Sequence, residues 1–366
     1  MTHRIDFTKQ FLLALAVALT SASGANAQQI HLDRLEAERL DVLPPAERVT
    51  GEPGRMRVVE RACRMAPADE LRRRIVDIAV QEWGFFGFSV LDQTIPEEPR
   101  QRRSGPRPPR SPLELMEAAR VADSIAGYWA VTDDGAWILD RQNDVWTGRY
   151  GAGARWEDPW SAAFISWVMC EGGLGEEDLF KRHIAHYVYI DQAIEARDGD
   201  EPDAAYVAYD VGEMPIEPGD LLCSARRSAY LSIGERRRNL GEGVRSHCDI
   251  TIRVEEHNGR ILVIGGNVSG SVRLKLFAAR FESYGDGEPR ARSVTGDDRT
   301  MFAHLKLRAE PLHADALDTS PTVQALVESG DDLSWLTRRL AGGGPARAAA
   351  PVASSAGMPG VSTLAP

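Results

Sequence analysis

The pattern of apolar and polar residues predicts helices in the first half of the chain and strands in the second half. Apolar side chains recur at helical spacing over residues 69–83 and form one stripe. Further patterns predict helices over residues 111–127, 159–171 and 176–196, and strands over residues 206–209, 220–224, 248–254, 260–264 and 271–276. Helices that precede an antiparallel sheet are typical of the α+β class.

The first 27 residues have the order of a cleavable export signal. Arg4 and Lys9 precede a short apolar run, and Ala25-Asn26-Ala27 matches the small-x-small pattern of a cleavage site. A membrane-spanning helix needs about 20 apolar residues, and this run is shorter. We therefore expect a signal peptide over residues 1–27, no transmembrane anchor, and a mature protein that is periplasmic or secreted.

Composition divides the remaining chain into one domain and its flanks. Residues 28–65 are expected to form an extended lead-in, and residues 66–310 the folded domain with a Pro/Arg-rich insertion at 95–110. Residues 311–340 are expected to be a weakly ordered extension, with a short helix near 333–340. The Ala/Gly/Pro/Ser-rich residues 341–366 are predicted to be a disordered tail.

The net charge of −11 argues against a nucleic-acid-binding protein. One basic stretch, residues 226–245, holds six arginines and suits either an anionic partner or a solvated loop. Four cysteines in an exported chain permit disulfides. Cys223 and Cys248 lie on neighbouring predicted strands, where either a disulfide or a buried pair of free thiols fits.

Candidate catalytic residues lie at a helix start and on two strands. Asp158 and Pro159 fit the cap and the first position of a helix, which places Ser161 in its first turn. There the helix dipole and unpaired backbone N–H groups favour developing negative charge. His247 begins one predicted strand and Asn267 ends the next, so a nucleophile, a base and an orienting residue can meet. A helix-cap serine, a structural histidine and a turn asparagine are the alternative interpretations.

The neighbours of His247 give two further expectations. We expect His247 to face the Ser161 helix, Cys248 to point to the opposite side of the strand, and Asp249 to lie obliquely to His247. His183 and His186 share one face of the predicted helix over 176–196. With His247 and either Asp249 or Asp220 they would form a zinc site, although surface histidines are the alternative and no HExxH motif is present. No cofactor is predicted.

Four motifs carry a family resemblance: PWSAAFISWVM at 159–169, PGDLLC at 218–223, SHCDITI at 246–252 and VIGGNVSGSV at 263–272. Together they resemble a bacterial domain-of-unknown-function family that is similar to the CHAP and NlpC-type papain-like hydrolases, many of which cut peptidoglycan peptides. The resemblance covers residues 70–285 and implies a papain-like fold, with helices packed on a small antiparallel sheet. It also implies Ser161 as nucleophile, His247 as base, Asn267 as orienting residue and Asp220 in a structural role.

The chain departs from those hydrolases at the nucleophile, because Ser161 stands where they have cysteine. A thiol beside an imidazole ionises readily, whereas a serine hydroxyl needs a general base during attack. The leading prediction is an exported amide hydrolase that acts on cell-wall peptides or another anionic envelope substrate. A catalytically silent cell-wall-binding module and a zinc-dependent hydrolase are the alternatives. Oligomeric state is not readable from the sequence.

Overall fold

The computed structural model describes residues 31–95, 112–226, 229–283, 289–296, 299–330 and 334–341. The predicted signal peptide, nearly all of the Pro/Arg-rich insertion and the predicted tail beyond Ala341 lie outside the described residues. Within the described ranges, the helices are all too short or too polar to cross a membrane.

The helices form a layer on one side of the sheet, and their lengths follow the apolar stripes of the sequence. The described helices are α1 (Leu71–Phe85), α2 (Pro112–Arg120), α3 (Ala122–Ala130), α4 (Gly135–Trp146), α5 (Ser161–Gly172), α6 (His186–Asp198), α7 (Ile233–Arg237), α8 (Pro321–Glu328) and α9 (Ser334–Leu340). The α5 helix ends where predicted, because Gly173 adopts the left-handed conformation at φ 108° that glycine tolerates best.

The strands form a small hairpin and one larger sheet. They are β1 (Val49–Thr50), β2 (Arg57–Val58), β3 (Val90–Asp92), β4 (Tyr206–Tyr209), β5 (Leu221–Ala225), β6 (Ser246–Glu255), β7 (Arg260–Val268), β8 (Ser271–Glu282), β9 (Arg290–Gly296) and β10 (Arg299–Leu307). Strands β5 to β10 pair antiparallel in succession, and β10 returns to β5. This pairing closes a six-stranded antiparallel barrel, flanked by β3 on β8 and β4 on β10.

The mixed helix-and-sheet class is confirmed, with the sheet larger than expected. The prediction of a small sheet missed β9 and β10, which close the barrel. Phe277, Val294 and Met301 form an apolar cluster inside the barrel with neighbouring strand residues. A second and larger core lies between the helices and the outer face of the sheet. The papain-like assignment remains a prediction.

The lead-in packs against the helical layer. Leu40 and Val42 are buried in the main core, and β1 and β2 pair beside α3 and α4. A disulfide between Cys63 and Cys170 ties the lead-in to α5. The buried Arg48 guanidinium forms an ion pair with Glu171 at the end of the same helix.

Candidate functional site

Ser161 is the first residue of α5, which places its hydroxyl among the unpaired backbone N–H groups of the first turn. The predicted cap is wrong, since the residue before the helix is Trp160 and no side chain caps it. Asp158 instead lies 3.4 Å from Arg141. The prediction that Ser161 lies in the first turn is nevertheless confirmed.

The Ser161 hydroxyl contacts a histidine that was not assigned as its partner. Ser161 Oγ lies 2.7 Å from Nε2 of His186, the first residue of α6. The predicted helix over 176–196 is wrong in its first half, because residues 176–185 form a turn and irregular backbone and the helix begins at His186. His183 therefore precedes the helix, where its Nδ1 accepts a hydrogen bond from the Ala185 amide at 3.1 Å.

The contacts of His186 define which ring nitrogen carries its proton. The backbone amide of Cys248 donates to Nδ1 at 3.3 Å, and an amide can only donate. The Tyr189 hydroxyl also contacts Nδ1. Nδ1 is therefore the acceptor, and Nε2–H donates to Ser161 Oγ. His186 in this form positions the serine oxygen and leaves the serine proton available to a second acceptor.

His247 forms a pair with Asp249, which corrects the predicted geometry. His247 Nε2 lies 3.1 Å from Asp249 Oδ1, and Lys275 Nζ lies 2.7 Å from Asp249 Oδ2. Residues two apart on a strand point to the same side, so Asp249 lies beside His247 and not obliquely to it. When the His247 ring is neutral and Nε2–H donates to the carboxylate, Nδ1 is the proton acceptor.

His186 brings the Ser161 helix and the His247 strand together. Cys248 packs into the core shared with α5, so its side chain faces this helix and does not point away as predicted, and the His247 side chain reaches the site from the opposite side of β6 by contacting His186. The His186 and His247 rings are 5.2 Å apart, centroid to centroid. The pairing of β6 with β7 ends at the Ile250–Ile264 pair. Because Cys248 lies beyond this pair, its backbone amide does not bond to β7 and donates to His186 instead.

A glycine on β7 makes room for the His247–Asp249 pair. A Cβ atom at Gly265 would lie 1.9 Å from Asp249 Oδ1 and 3.2 Å from His247 Nε2. Any side chain at this position would displace the carboxylate. This explains one glycine of the VIGGNVSGSV motif by sterics alone.

Asn267 lies at the edge of the site, in a left-handed backbone conformation at φ 56°. Within the described residues, no hydrogen bond joins it to His247 or His186. The orienting contact that we predicted for Asn267 is instead made by Asp249. Asn267 lines a cavity of about 540 Å³ together with Trp160.

Burial and neighbouring charges shift the pKa values of two groups in the site. Burial and the adjacent His247 hold the pKa of His186 well below its usual value. Burial raises the pKa of Asp249, but the charges and hydrogen bonds of His247 and Lys275 outweigh it and hold this pKa well below the ordinary range. Near neutral pH the site therefore contains a neutral His186 and an ionised Asp249.

We expect the low pKa of His186 to make the fold less stable in mild acid. Below about pH 6.5 the histidine binds a proton in the unfolded chain but not in the folded one, so the free energy of unfolding falls as pH falls. His186→Gln should reduce the difference in urea midpoint between pH 8 and pH 5. The exposed His257→Gln serves as control, and an unchanged difference in His186→Gln would contradict the assignment.

The residues of the hypothetical zinc site do not all meet. Asp220 is buried elsewhere and accepts hydrogen bonds from Arg72 and His304, each at 2.8 Å. Both ring nitrogens of His186 have protein partners. In the described part of the chain, there is no group of three or more His, Cys, Asp or Glu side chains that could hold a metal ion.

The two remaining sequence features are the Cys223–Cys248 pair and the basic stretch. Cys223 and Cys248 form a disulfide between β5 and β6, so the disulfide interpretation is confirmed over the free-thiol alternative. In the basic stretch, Arg236 is buried and bound by both carboxylate oxygens of Asp191 at 2.6 Å, and Arg237 pairs with Asp198. These two arginines hold α7 against α6.

Comparison with known proteins finds a family match over part of the chain. Residues 118–281 match a family described as an uncharacterized protein conserved in bacteria (DUF2272). No curated protein and no solved structure matches the chain. The domain-of-unknown-function part of the resemblance is thereby confirmed, and the matched segment contains Ser161, His186, His247, Asp249 and Lys275.

Proposed function

We propose that the protein is an exported amide hydrolase of the cell envelope that cuts peptidoglycan peptides, with Ser161 as the nucleophile. The observation that carries the proposal is the 2.7 Å contact between Ser161 Oγ and His186 at the start of α5. A hydroxyl at a helix N-terminus that contacts one imidazole, next to a second imidazole bound to a carboxylate, supports acyl transfer.

Each neighbouring side chain has a role in this mechanism. His247 takes the serine proton through Nδ1 as Ser161 Oγ attacks the amide carbonyl, and then gives that proton to the leaving amine. Asp249 orients His247 and stabilises the imidazolium. His186 donates to Ser161 Oγ, and backbone N–H groups of the first turn of α5 stabilise the oxyanion.

The location and the substrate class of this proposal have separate support. Two disulfides, Cys63–Cys170 and Cys223–Cys248, fit a protein that works outside the cytoplasm. The order of the four motifs supports a peptidoglycan substrate through their resemblance to papain-like hydrolases.

One observation favours a silent binding module as the second candidate. His186 donates to Ser161 Oγ, and no hydrogen bond joins Ser161 to His247 within the described residues. Proton transfer to His247 therefore requires a change of the Ser161 rotamer on substrate binding. A domain in which this change never occurs would bind the peptide without cutting it.

A fluorophosphonate probe tests the nucleophile directly. We expect covalent labelling of wild-type protein at Ser161, located by mass spectrometry, because the probe reacts with serines that a base activates. Ser161→Ala should abolish labelling and muropeptide turnover. Ser166→Ala, on the same helix and hydrogen-bonded to the His183 carbonyl, is the matched control. Turnover that survives Ser161→Ala would exclude Ser161 as nucleophile, and ligand binding without labelling or turnover would identify the binding module.

A further inference from the structure

A cavity of about 540 Å³ lies beside Trp160, the residue that precedes Ser161. Val121, Ile125 and Trp156 contribute apolar wall, and Arg273 of β8 is among the polar residues of the lining. The volume falls within the roughly 300–1,000 Å³ that is usual for small-ligand sites, and the wall combines apolar side chains with about as many polar ones. The cavity adjoins the proposed nucleophile without including it.

The charged residues around the cavity differ in whether they have counter-ions. Glu114 pairs with Arg155 at 3.0 Å, and Glu117 pairs with Arg120 at 2.8 Å. Arg273 forms neither a hydrogen bond nor an ion pair with any residue in the described ranges, and its Nε is buried. Burial lowers the pKa of Arg273, although a guanidinium stays protonated in proteins. A partly buried, unpaired positive charge is costly, and a bound anion removes that cost.

Arg273 is also close to the proposed base along the sheet. It is the direct cross-strand partner of Gly265, the glycine whose lack of a side chain makes room for the His247–Asp249 pair. Neighbouring strands are about 4.8 Å apart, so β8 lies roughly 10 Å from β6. Only the glycine backbone of β7 separates the strand position of Arg273 from the pair.

We propose that Arg273 binds a carboxylate of the substrate in this cavity, near the amide that is cut. The inference rests on the proposed function and specifies its substrate as a peptide with a free carboxylate. A planar guanidinium matches a carboxylate through two parallel hydrogen bonds. Trp156, which is partly exposed, supplies an apolar surface for the adjoining part of the peptide.

Binding is measured on full-length Ser161→Ala protein with two labelled muropeptides of the same sequence, one with free carboxylates and one with carboxamides. We expect the carboxylate probe to bind about 10- to 100-fold more tightly, as charge-assisted hydrogen bonds do. Arg273→Gln should remove this preference, and Arg273→Lys should keep part of it. Arg280→Gln, an exposed arginine on the same strand, should leave the preference unchanged.

Equal affinity of the two probes for the Ser161→Ala protein would overturn the inference. This comparison does not use the Arg273→Gln variant, so it is decisive even if that variant folds poorly. Displacement of the carboxylate probe by an equal concentration of inorganic phosphate would also overturn it, because the site would then bind any anion. A carboxylate preference in a protein that never cuts the probes would uphold Arg273 and refute the hydrolase. Turnover of both probes at equal kcat/KM would uphold the hydrolase and refute the role of Arg273.

Discussion

Asp249→Asn is expected to lower the free energy of unfolding by about 3–5 kcal/mol and to reduce turnover by orders of magnitude. Asp249 is buried between His247 and Lys275, so the substitution leaves the Lys275 ammonium in the interior without its counter-ion. It also removes the carboxylate that keeps the His247 proton on Nε2. Urea denaturation and muropeptide hydrolysis measure the two effects separately.

A double variant separates the structural role of Asp249 from its catalytic role. Asp249→Asn with Lys275→Met removes both charges of the buried pair, which should restore most of the stability but not the turnover. Glu282→Gln, which breaks an exposed ion pair with Arg280, should cost less than about 1 kcal/mol and serves as control. Recovery of turnover in the double variant would show that Asp249 only balances Lys275.

Asp220→Ala is expected to prevent accumulation of the folded protein. The buried Asp220 carboxylate accepts hydrogen bonds from the Arg72 guanidinium and the His304 ring, each at 2.8 Å, and from the Leu307 and Glu217 amides at 3.0 Å. Its removal leaves the buried Arg72 guanidinium without its carboxylate, which should lower the free energy of unfolding by about 3–5 kcal/mol. The total free energy of unfolding of a protein is typically about 5–15 kcal/mol, so this loss is a large part of it.

The same hydrogen bonds explain why the loss of Asp220 destabilises more than one element of the fold. Arg72 lies on α1 and also donates to the Leu307 carbonyl at 2.7 Å, so Asp220 joins α1 to two barrel strands. Burial alone would raise the pKa of Asp220, but the hydrogen bond from His304 and the Arg72 charge lower it. Circular dichroism and the soluble yield measure the outcome, with Asp198→Ala, an exposed salt-bridge partner of Arg237, as control. A wild-type urea midpoint in Asp220→Ala would contradict the structural role.

The candidate site was predictable only where local pattern decides position. Pro159 and the apolar run after it placed Ser161 in a first helical turn, and this prediction is confirmed. Strict alternation along β6 also predicts that Asp249 lies beside His247, since residues two apart on a strand share a side. The sequence interpretation instead placed Asp249 obliquely to His247. His186 carried no local signal, because a histidine at the start of one helix meets a serine at the start of another only through packing.

Local periodicity and turn residues, which act over a few positions, predict most helices of the first half, the strands β4 to β8, and the placement of Cys223 and Cys248 on neighbouring strands. The remaining features depend on contacts between residues that are distant in the sequence. Tertiary packing closes the barrel through β9 and β10, joins Cys63 to Cys170, and places Arg273 beside a cavity with no counter-ion among the described residues. It also places His186 between Ser161 and His247, since strand pairing and helix packing fix side chains that lie up to 86 residues apart, which no local pattern encodes.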